Sequence, residues 1–160
     1  MGAWRMRPPI VPQPDDFAKC WAAVFESFSQ VTPPYEKITI DEIIDRFTKR
    51  PGRKVRRNGN LRLPRGLLEF ERDFGLDFRI NIASKELTTD FLQPLLRRSH
   101  VMLYIRSWVA GPGRRVWHTV LVYGADKFSF CVMDPLVPGI YLTHKFALPI
   151  GEEYHVVWKP

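Results

Sequence analysis

The sequence predicts an α+β domain, with most helices in its first half and a run of antiparallel strands in its second. Before residue 75, apolar residues recur at helical spacing in three separate segments. After residue 100 they fall instead in short runs rich in β-branched and aromatic residues, which are typical of strands. Helices followed by consecutive strands indicate separate helical and sheet parts rather than a parallel α/β fold.

The chain has 160 residues, which suits one domain over residues 1–160. Residues 1–14 carry four prolines and predict an extended arm. The first helix is predicted over Asp16–Gln30, with Asp15 or Asp16 as its N-cap. Its apolar positions form one stripe. These positions are Phe17, Cys20, Trp21, Val24, Phe25 and Phe28.

Capping signals mark the next elements. A second helix begins at Thr39, which is spaced for a capping box with Glu42, and continues to about residue 49. A basic loop follows over 51–60, and a third helix over 67–74 ends at a glycine. The remaining predicted elements are a strand over 78–82, a helix over 88–96 that contains Pro94, and strands over 101–109, 116–123, 128–133, 140–146 and 154–158.

Composition excludes several classes of protein. Hydrophobic residues make up 45% of the chain, which is typical of a globular domain. No apolar run approaches the roughly 20 residues that span a bilayer, so no membrane span is expected. The formal charge of +7 favours acidic partners. Part of that charge lies in residues 49–57 with no interleaved aromatic residue, so a solvated loop is favoured over a nucleic-acid site.

The predicted hairpin over 116–133 carries the first chemical signal. A three-residue loop at Ala125–Lys127 places His118 directly opposite Asp134, on one face of the sheet, with Cβ atoms roughly 5 Å apart. A carboxylate beside an imidazole orients it as a base and leaves the second ring nitrogen free. A two-residue loop would instead place His118 opposite Met133, and Asp134 would face the wrong way.

Cys20 carries the second signal, because it lies in the first turn of the first helix. Backbone N–H groups converge there, and the helix dipole favours a thiolate over a thiol. The alternative is that Cys20 is a small buried residue of the apolar stripe. With only one other cysteine, Cys131, and no Cys-x-x-Cys spacing, the chain is neither a disulfide scaffold nor a predicted metal site, and no cofactor is expected.

Three stretches resemble papain-like cysteine proteases, closest to compact bacterial members. Those members include the leader peptidases that cut after double glycine and the secreted effector proteases of plant pathogens. The order Gln, Cys, His, Asp is that of the family. The matching stretches are Val11-Pro12-Gln13 with Cys20-Trp21-Ala22-Ala23, then Trp117-His118-Thr119-Val120-Leu121-Val122-Tyr123-Gly124, then Val132-Met133-Asp134-Pro135.

The resemblance implies a papain-like fold, with a helical part packed on a C-terminal antiparallel sheet. It implies that Cys20 is the nucleophile, that His118 is the general base and then the acid, and that Asp134 orients His118. Gln13 would donate to the oxyanion. Six residues separate Gln13 from Cys20 where the family usually has five, so a solvent-facing Gln13 in the arm is the alternative.

The same resemblance implies a narrow substrate cleft, which Trp21 or Trp117 would form. Cys131 is expected in the core, and His100, His144 and His155 are expected to be surface or satisfied histidines, since none has a partner carboxylate at a defined spacing. The placements of Cys131 and of the three histidines are predictions from alternation and spacing alone.

Three functions remain open from the sequence. The first is a cysteine peptidase that cleaves a protein substrate through a thioester. The second is an acyltransferase, deamidase or transglutaminase that uses the same triad. The third is a non-catalytic basic module that binds nucleic acid or an acidic protein.

A biological setting follows as a further expectation. Only 19 residues precede Cys20, too few for an inhibitory propeptide of the papain type. We therefore expect a bacterial effector or toxin domain, made in the bacterial cytoplasm, delivered into a target cell by a secretion system, and blocked in the producer by an immunity or inhibitor protein.

Overall fold

The structure is a computed structural model that describes residues 2–14, 17–49, 55–56, 60–107, 116–137, 142–144 and 153–160. Its helices are α1 (Cys20–Val31), α2 (Ile40–Thr48), α3 (Arg65–Phe74) and α4 (Thr89–Arg98). Its strands are β1 (Ala3–Trp4), β2 (Asp77–Ala83), β3 (Val101–Ser107), β4 (Val116–Ala125), β5 (Ser129–Met133), β6 (Leu142–His144) and β7 (Glu153–Trp158).

The strands form one antiparallel sheet in the order β2-β7-β3-β4-β5-β6, and β1 pairs with the end of β4. One face of the sheet packs against α1, α2 and α3 through a core rich in phenylalanine. The other face is covered by α4, β1 and the segment before α4. β3, β4, β5 and β7 each contribute side chains to both cores, because successive side chains point to opposite faces of a sheet. The predicted α+β class, with helices packed on a mainly C-terminal antiparallel sheet, is confirmed.

Local signals decide where several helices begin and end. Thr39 and Glu42 form the predicted capping box of α2. Thr88 caps α4 by accepting a hydrogen bond from the Phe91 N–H at 3.2 Å. Gly75 ends α3 in the left-handed conformation, with a φ of 57°, which favours glycine.

The N-terminal region differs from its prediction in two ways. A short 3-10 turn at Phe17–Lys19 precedes α1, so the α-helix itself begins at Cys20. The arm is not wholly irregular, since Ala3 and Trp4 pair with Ala125 and Gly124. The proposed N-caps Asp15 and Asp16, and most of the basic loop, lie outside the described residues.

In the part of the chain that the structure describes, no helix is both long and apolar enough to cross a membrane.

Candidate active site

Four elements meet around one small cluster of side chains. α1 begins against β4, so its first residue lies beside the middle of that strand. β5 pairs with β4, so the chain that leaves β5 also lies next to β4. The N-terminal arm reaches the same place, where the Gln13 N–H donates to the Pro135 carbonyl at 3.0 Å. Residues far apart in sequence therefore come together here.

His118 and Asp134 contact each other directly. The Nε2 atom of His118 lies 2.8 Å from Oδ1 of Asp134. His118 is buried, with 4% of its surface exposed, whereas Asp134 is partly exposed. The Leu136 N–H also donates to Asp134 Oδ1 at 2.8 Å, so the carboxylate is held from its own loop as well.

The predicted register of the hairpin is wrong by two residues. Leu121 pairs with Met133, and continuing that pairing makes His118 and Asp134 diagonal neighbours rather than direct ones. Diagonal residues share a sheet face and lie within reach of longer side chains. The side-chain contact is therefore formed in a register different from the predicted one.

The reason for the different register lies in the turn and in a bulge. The Asp126 N–H donates to the Ser129 carbonyl at 3.0 Å, so the loop has two residues, Lys127 and Phe128. Asp126 Oδ1 tightens this turn by accepting from the backbone N–H groups of both Phe128 and Ser129 at 2.8 Å.

A two-residue turn alone would put His118 and Asp134 on opposite faces. The pairing shifts between Val122 and Gly124, where Tyr123 is an extra residue in β4. Such a bulge moves every following side chain to the other face. The bulge at Tyr123 therefore returns His118 to the face of Asp134.

Cys20 completes the cluster from α1. It lies close enough to His118 to raise the pKa of that imidazole. Its Sγ also lies 3.8 Å from Thr119 Oγ1 and 3.9 Å from the Trp117 carbonyl oxygen. Because Nε2 of His118 is engaged by Asp134, Nδ1 is the ring nitrogen available to the sulfur. Sulfur, imidazole and carboxylate thus form a continuous chain of contacts.

The electrostatics of this chain favour a protonated imidazole. Burial by itself lowers the pKa of His118, but the hydrogen bonds and negative charges of Asp134 and Cys20 outweigh it and raise the pKa to about 9. For Asp134, burial raises the pKa, yet the hydrogen bond and charge of His118 and the N–H groups of Leu136 and Val137 hold it below its usual value. At neutral pH the pair is therefore an imidazolium and a carboxylate.

Gln13 is fixed by its backbone beside Asp134, through the bond to Pro135. Its side-chain Oε1 is buried and has no hydrogen-bond partner. A buried amide oxygen without a partner is unfavourable, so such a group in a folded protein calls for an explanation. A half-turn of the amide would present the NH2 group at the same position.

The two predicted cleft residues differ in their surroundings. Trp21 is 1% exposed and packs against Phe47 and Phe70, at ring-centroid distances of 5.1 and 6.1 Å. It belongs to the core and does not line a cleft, which corrects the prediction. Trp117 is partly exposed, stacks on His155 at 4.6 Å, and contributes its carbonyl to the contacts of Cys20.

The other candidate side chains are held outside this chain of contacts. Cys131 is buried in β5, and burial raises its pKa. His100 donates from Nε2 to the Met6 carbonyl at 2.8 Å, and His155 accepts from the Asn81 N–H at 3.2 Å; burial lowers the pKa of both. The side chain of His144 lies outside the described residues.

Two residues beside the thiol were not singled out by the sequence. Thr119 contacts the sulfur of Cys20, and Tyr104 pairs directly with Thr119 across β3 and β4. The Tyr104 hydroxyl is buried without a hydrogen-bond partner, and burial followed by the charge of Cys20 raises its pKa. The position of Thr119 directly after His118 in a predicted strand was the sequence signal that could have pointed to it, whereas Tyr104 lies on β3 and is brought there by the pairing of β3 with β4.

Among the described residues, no group of three His, Cys, Asp or Glu side chains is arranged to hold a metal ion.

Comparisons with known proteins bear on the fold. No protein-family model matches the chain, and no curated protein matches it. Among solved structures, one described as a candidate C39-like peptidase from Bacillus anthracis is similar, with a TM-score of 0.63 and 14% sequence identity. The match covers 100% of this chain and 98% of that one. The chain therefore shares its overall fold with that structure.

Proposed function

We propose that the chain is a cysteine peptidase that cleaves a protein substrate with Cys20, His118 and Asp134. The contact chain from sulfur to imidazole to carboxylate carries this proposal, because nucleophilic thiol catalysis needs those three groups in that order. The papain-like fold supports it independently, since it comes from the whole backbone rather than from these side chains.

In this mechanism the reaction begins with a thiolate. An imidazolium beside a sulfur favours the thiolate form, and the raised pKa of His118 keeps the ring protonated at neutral pH. The sulfur of Cys20 adds to the carbonyl carbon of the peptide bond, and the carbonyl electrons move to oxygen. When the intermediate collapses, His118 gives its Nδ1 proton to the leaving amine, and a thioester remains on Cys20.

The second half of the reaction releases the acyl group. His118, now neutral at Nδ1, takes a proton from water, and the resulting hydroxide adds to the thioester carbonyl. Collapse breaks the carbon–sulfur bond, frees the carboxylic acid and restores the thiolate–imidazolium pair. Asp134 holds Nε2–H throughout, so the ring presents the same nitrogen in both steps.

Gln13 is proposed as a donor to the oxyanion, together with the Cys20 backbone N–H. Two observations support this role: the arm brings Gln13 to Pro135, and its side-chain amide has a buried atom without a partner. A donor aimed at the developing charge in a dry site is worth roughly 100- to 1000-fold in rate.

Restricted access favours substrates with small side chains near the cleaved bond. Cys20 is 2% exposed, so a substrate backbone must come very close to a largely covered side chain. Glycine, which has no Cβ, permits such an approach best. This supports a preference like that of the double-glycine leader peptidases, with Trp117 as one wall.

The test uses the purified chain, the Cys20→Ala variant and, as a matched control, Cys131→Ala. Each is incubated with a bacterial lysate, and the new protein N-termini are sequenced. We expect new termini with the wild-type chain and with Cys131→Ala, and none with Cys20→Ala. Product mass gains of one dalton without new termini would instead identify a deamidase, and acyl transfer to added amines would identify the transferase alternative.

The biological setting is a separate proposal, and the resemblance of the sequence to effector proteases supports it. The domain would act as a bacterial effector or toxin inside a target cell, with an immunity protein that blocks it in the producer. Expression of the wild-type chain in a bacterial cytoplasm should slow growth, and the Cys20→Ala variant should not. Equal growth of the two strains, at equal protein levels, would count against this setting.

A further inference from the structure

The start of the N-terminal arm is joined to the strand that carries His118. β3 pairs with β4 only as far as Val122, and β1 takes its place beside the last residues of β4. The Arg5 N–H donates to the Tyr123 carbonyl at 2.7 Å. The bulge residue is therefore hydrogen-bonded to the arm.

The side chain of Arg5 anchors this junction to α4. Its Nε donates to the Leu96 carbonyl at 2.6 Å, and its Nη2 donates to the Arg97 carbonyl. These are carbonyls of the last turn of α4, which have no partner within the helix, and a cation there also complements the helix dipole. The next residue, Met6, is held by His100 at 2.8 Å.

The Trp4 ring covers the other side of the bulge. A Cβ built on Gly124 would lie 2.5 Å from the ring of Trp4, so the indole packs directly on the glycine backbone. Trp4 itself remains 56% exposed, so this contact covers β4 without entering either core.

We propose that Arg5 is a positioning residue that, together with β1, holds the bulge at Tyr123 and so keeps the candidate acid–base pair aligned. The inference rests on the proposed function only in calling that pair catalytic. The geometric reason is that the bulge adds one residue to β4. Without that residue, a two-residue turn places His118 and Asp134 on opposite faces of the sheet. Arg5 touches neither of them and acts through the strand.

The test measures the pKa of His118 by NMR titration of ¹⁵N-labelled protein, in the wild type and in Arg5→Met. We expect the wild type to titrate near pH 9 and the variant to shift toward the ordinary value of 6.5, because the imidazole loses its alignment with the carboxylate. Arg98→Met, which removes an exposed arginine from the same end of α4, is the matched control and should leave the pKa unchanged. Arg5→Lys retains a cation and donors and should restore most of the shift.

A second variant covers the case in which Arg5→Met fails to fold. Trp4→Ala removes a half-exposed side chain from Gly124, so the core is not at risk, and it should shift the titration of His118 in the same direction. If Arg5→Met folds and the titration of His118 is unchanged, the proposal is overturned. If Arg5→Met does not fold, the same result with folded Trp4→Ala overturns it.

Peptidase kinetics then separate this inference from the proposed function. A misplacement of about 1 Å costs on the order of 100-fold in kcat, so Arg5→Met should lower kcat in that range. A wild-type chain that shows the high His118 pKa but cleaves nothing would refute the proposed function alone. If the wild type cleaves its substrate and Arg5→Met changes neither kcat nor the titration of His118, the positioning role of Arg5 alone is refuted.

Discussion

Replacing Asp134 by Asn tests the electrostatic coupling at the centre of the site. Asn keeps the size and one acceptor oxygen of the side chain, so it can still bind His118 and the Leu136 N–H, but it removes the negative charge. Hydrogen bonds to charged groups stabilise proteins by about 1.5–3 kcal/mol. The pKa of His118, raised from 6.5 to about 9, represents roughly 3 kcal/mol of preference for the protonated ring at 1.4 kcal/mol per pH unit, shared between Asp134 and Cys20. We therefore expect Asp134→Asn to lose about 2 kcal/mol.

The loss should depend on pH with a definite sign. The folded pKa of His118 is raised, so its stabilisation is complete below pH 6.5 and disappears as the pH rises through about 9. The folded pKa of Asp134 is lowered, so its stabilisation is present above its ordinary value of 3.8 and disappears in stronger acid. The cost of Asp134→Asn is therefore largest between about pH 4 and pH 6.5 and smaller at pH 9.5.

Urea unfolding followed by tryptophan fluorescence, at pH 5.5 and pH 9.5, measures this difference. Asp45→Asn is the matched control, because Asp45 pairs with Lys49 on the exposed face of α2 and such pairs contribute only about 0.3–0.5 kcal/mol. An Asp134→Asn cost that is the same at both pH values would refute the proton coupling between Asp134 and His118.

Three further substitutions test other parts of the reasoning. Gln13→Ala should lower kcat by roughly 100-fold or more with little change in KM. Gln30→Ala, at an exposed position of α1, is the control and should leave kcat unchanged. Equal kinetics of the two variants would exclude Gln13 as an oxyanion donor. Trp21→Ala should destabilise the domain by about 3–5 kcal/mol in urea unfolding, because it empties the centre of the aromatic core, and a cost under about 1 kcal/mol would contradict the burial of its ring. Tyr104→Phe should be neutral or stabilising by about 1 kcal/mol, since it removes a buried hydroxyl without a partner; a clear loss of stability would mean that the hydroxyl has a partner in solution.

Helix boundaries were the most predictable part of the fold. The capping box at Thr39, the threonine cap at Thr88 and the left-handed Gly75 all depend on contacts within a few residues, so the local sequence contains the information. The antiparallel strands were predictable for the same reason, through runs of β-branched and aromatic residues.

Strand register was less predictable. The prediction used a three-residue loop, but the Asp126 side chain stabilises a two-residue turn and Tyr123 adds a bulge. Together the two differences shift the register by two residues, so His118 and Asp134 still meet on one face. The predicted contact between His118 and Asp134 therefore survived although the predicted loop was wrong. A register shift of two residues keeps each side chain on the same face of the sheet.

The sequence by itself determined the α+β class, the ends of three helices, and which residue types could supply a thiol, an imidazole and a carboxylate. Only the tertiary structure decided that these three lie in contact, that Trp21 belongs to the core, and that the arm pairs with β4. The physical reason is range: caps and alternation arise from neighbouring residues, whereas a bulge and a docked arm depend on partners about 90 to 120 residues away along the chain. A single extra residue in β4, Tyr123, sets the face of His118, and its carbonyl accepts a hydrogen bond from Arg5 in the N-terminal arm.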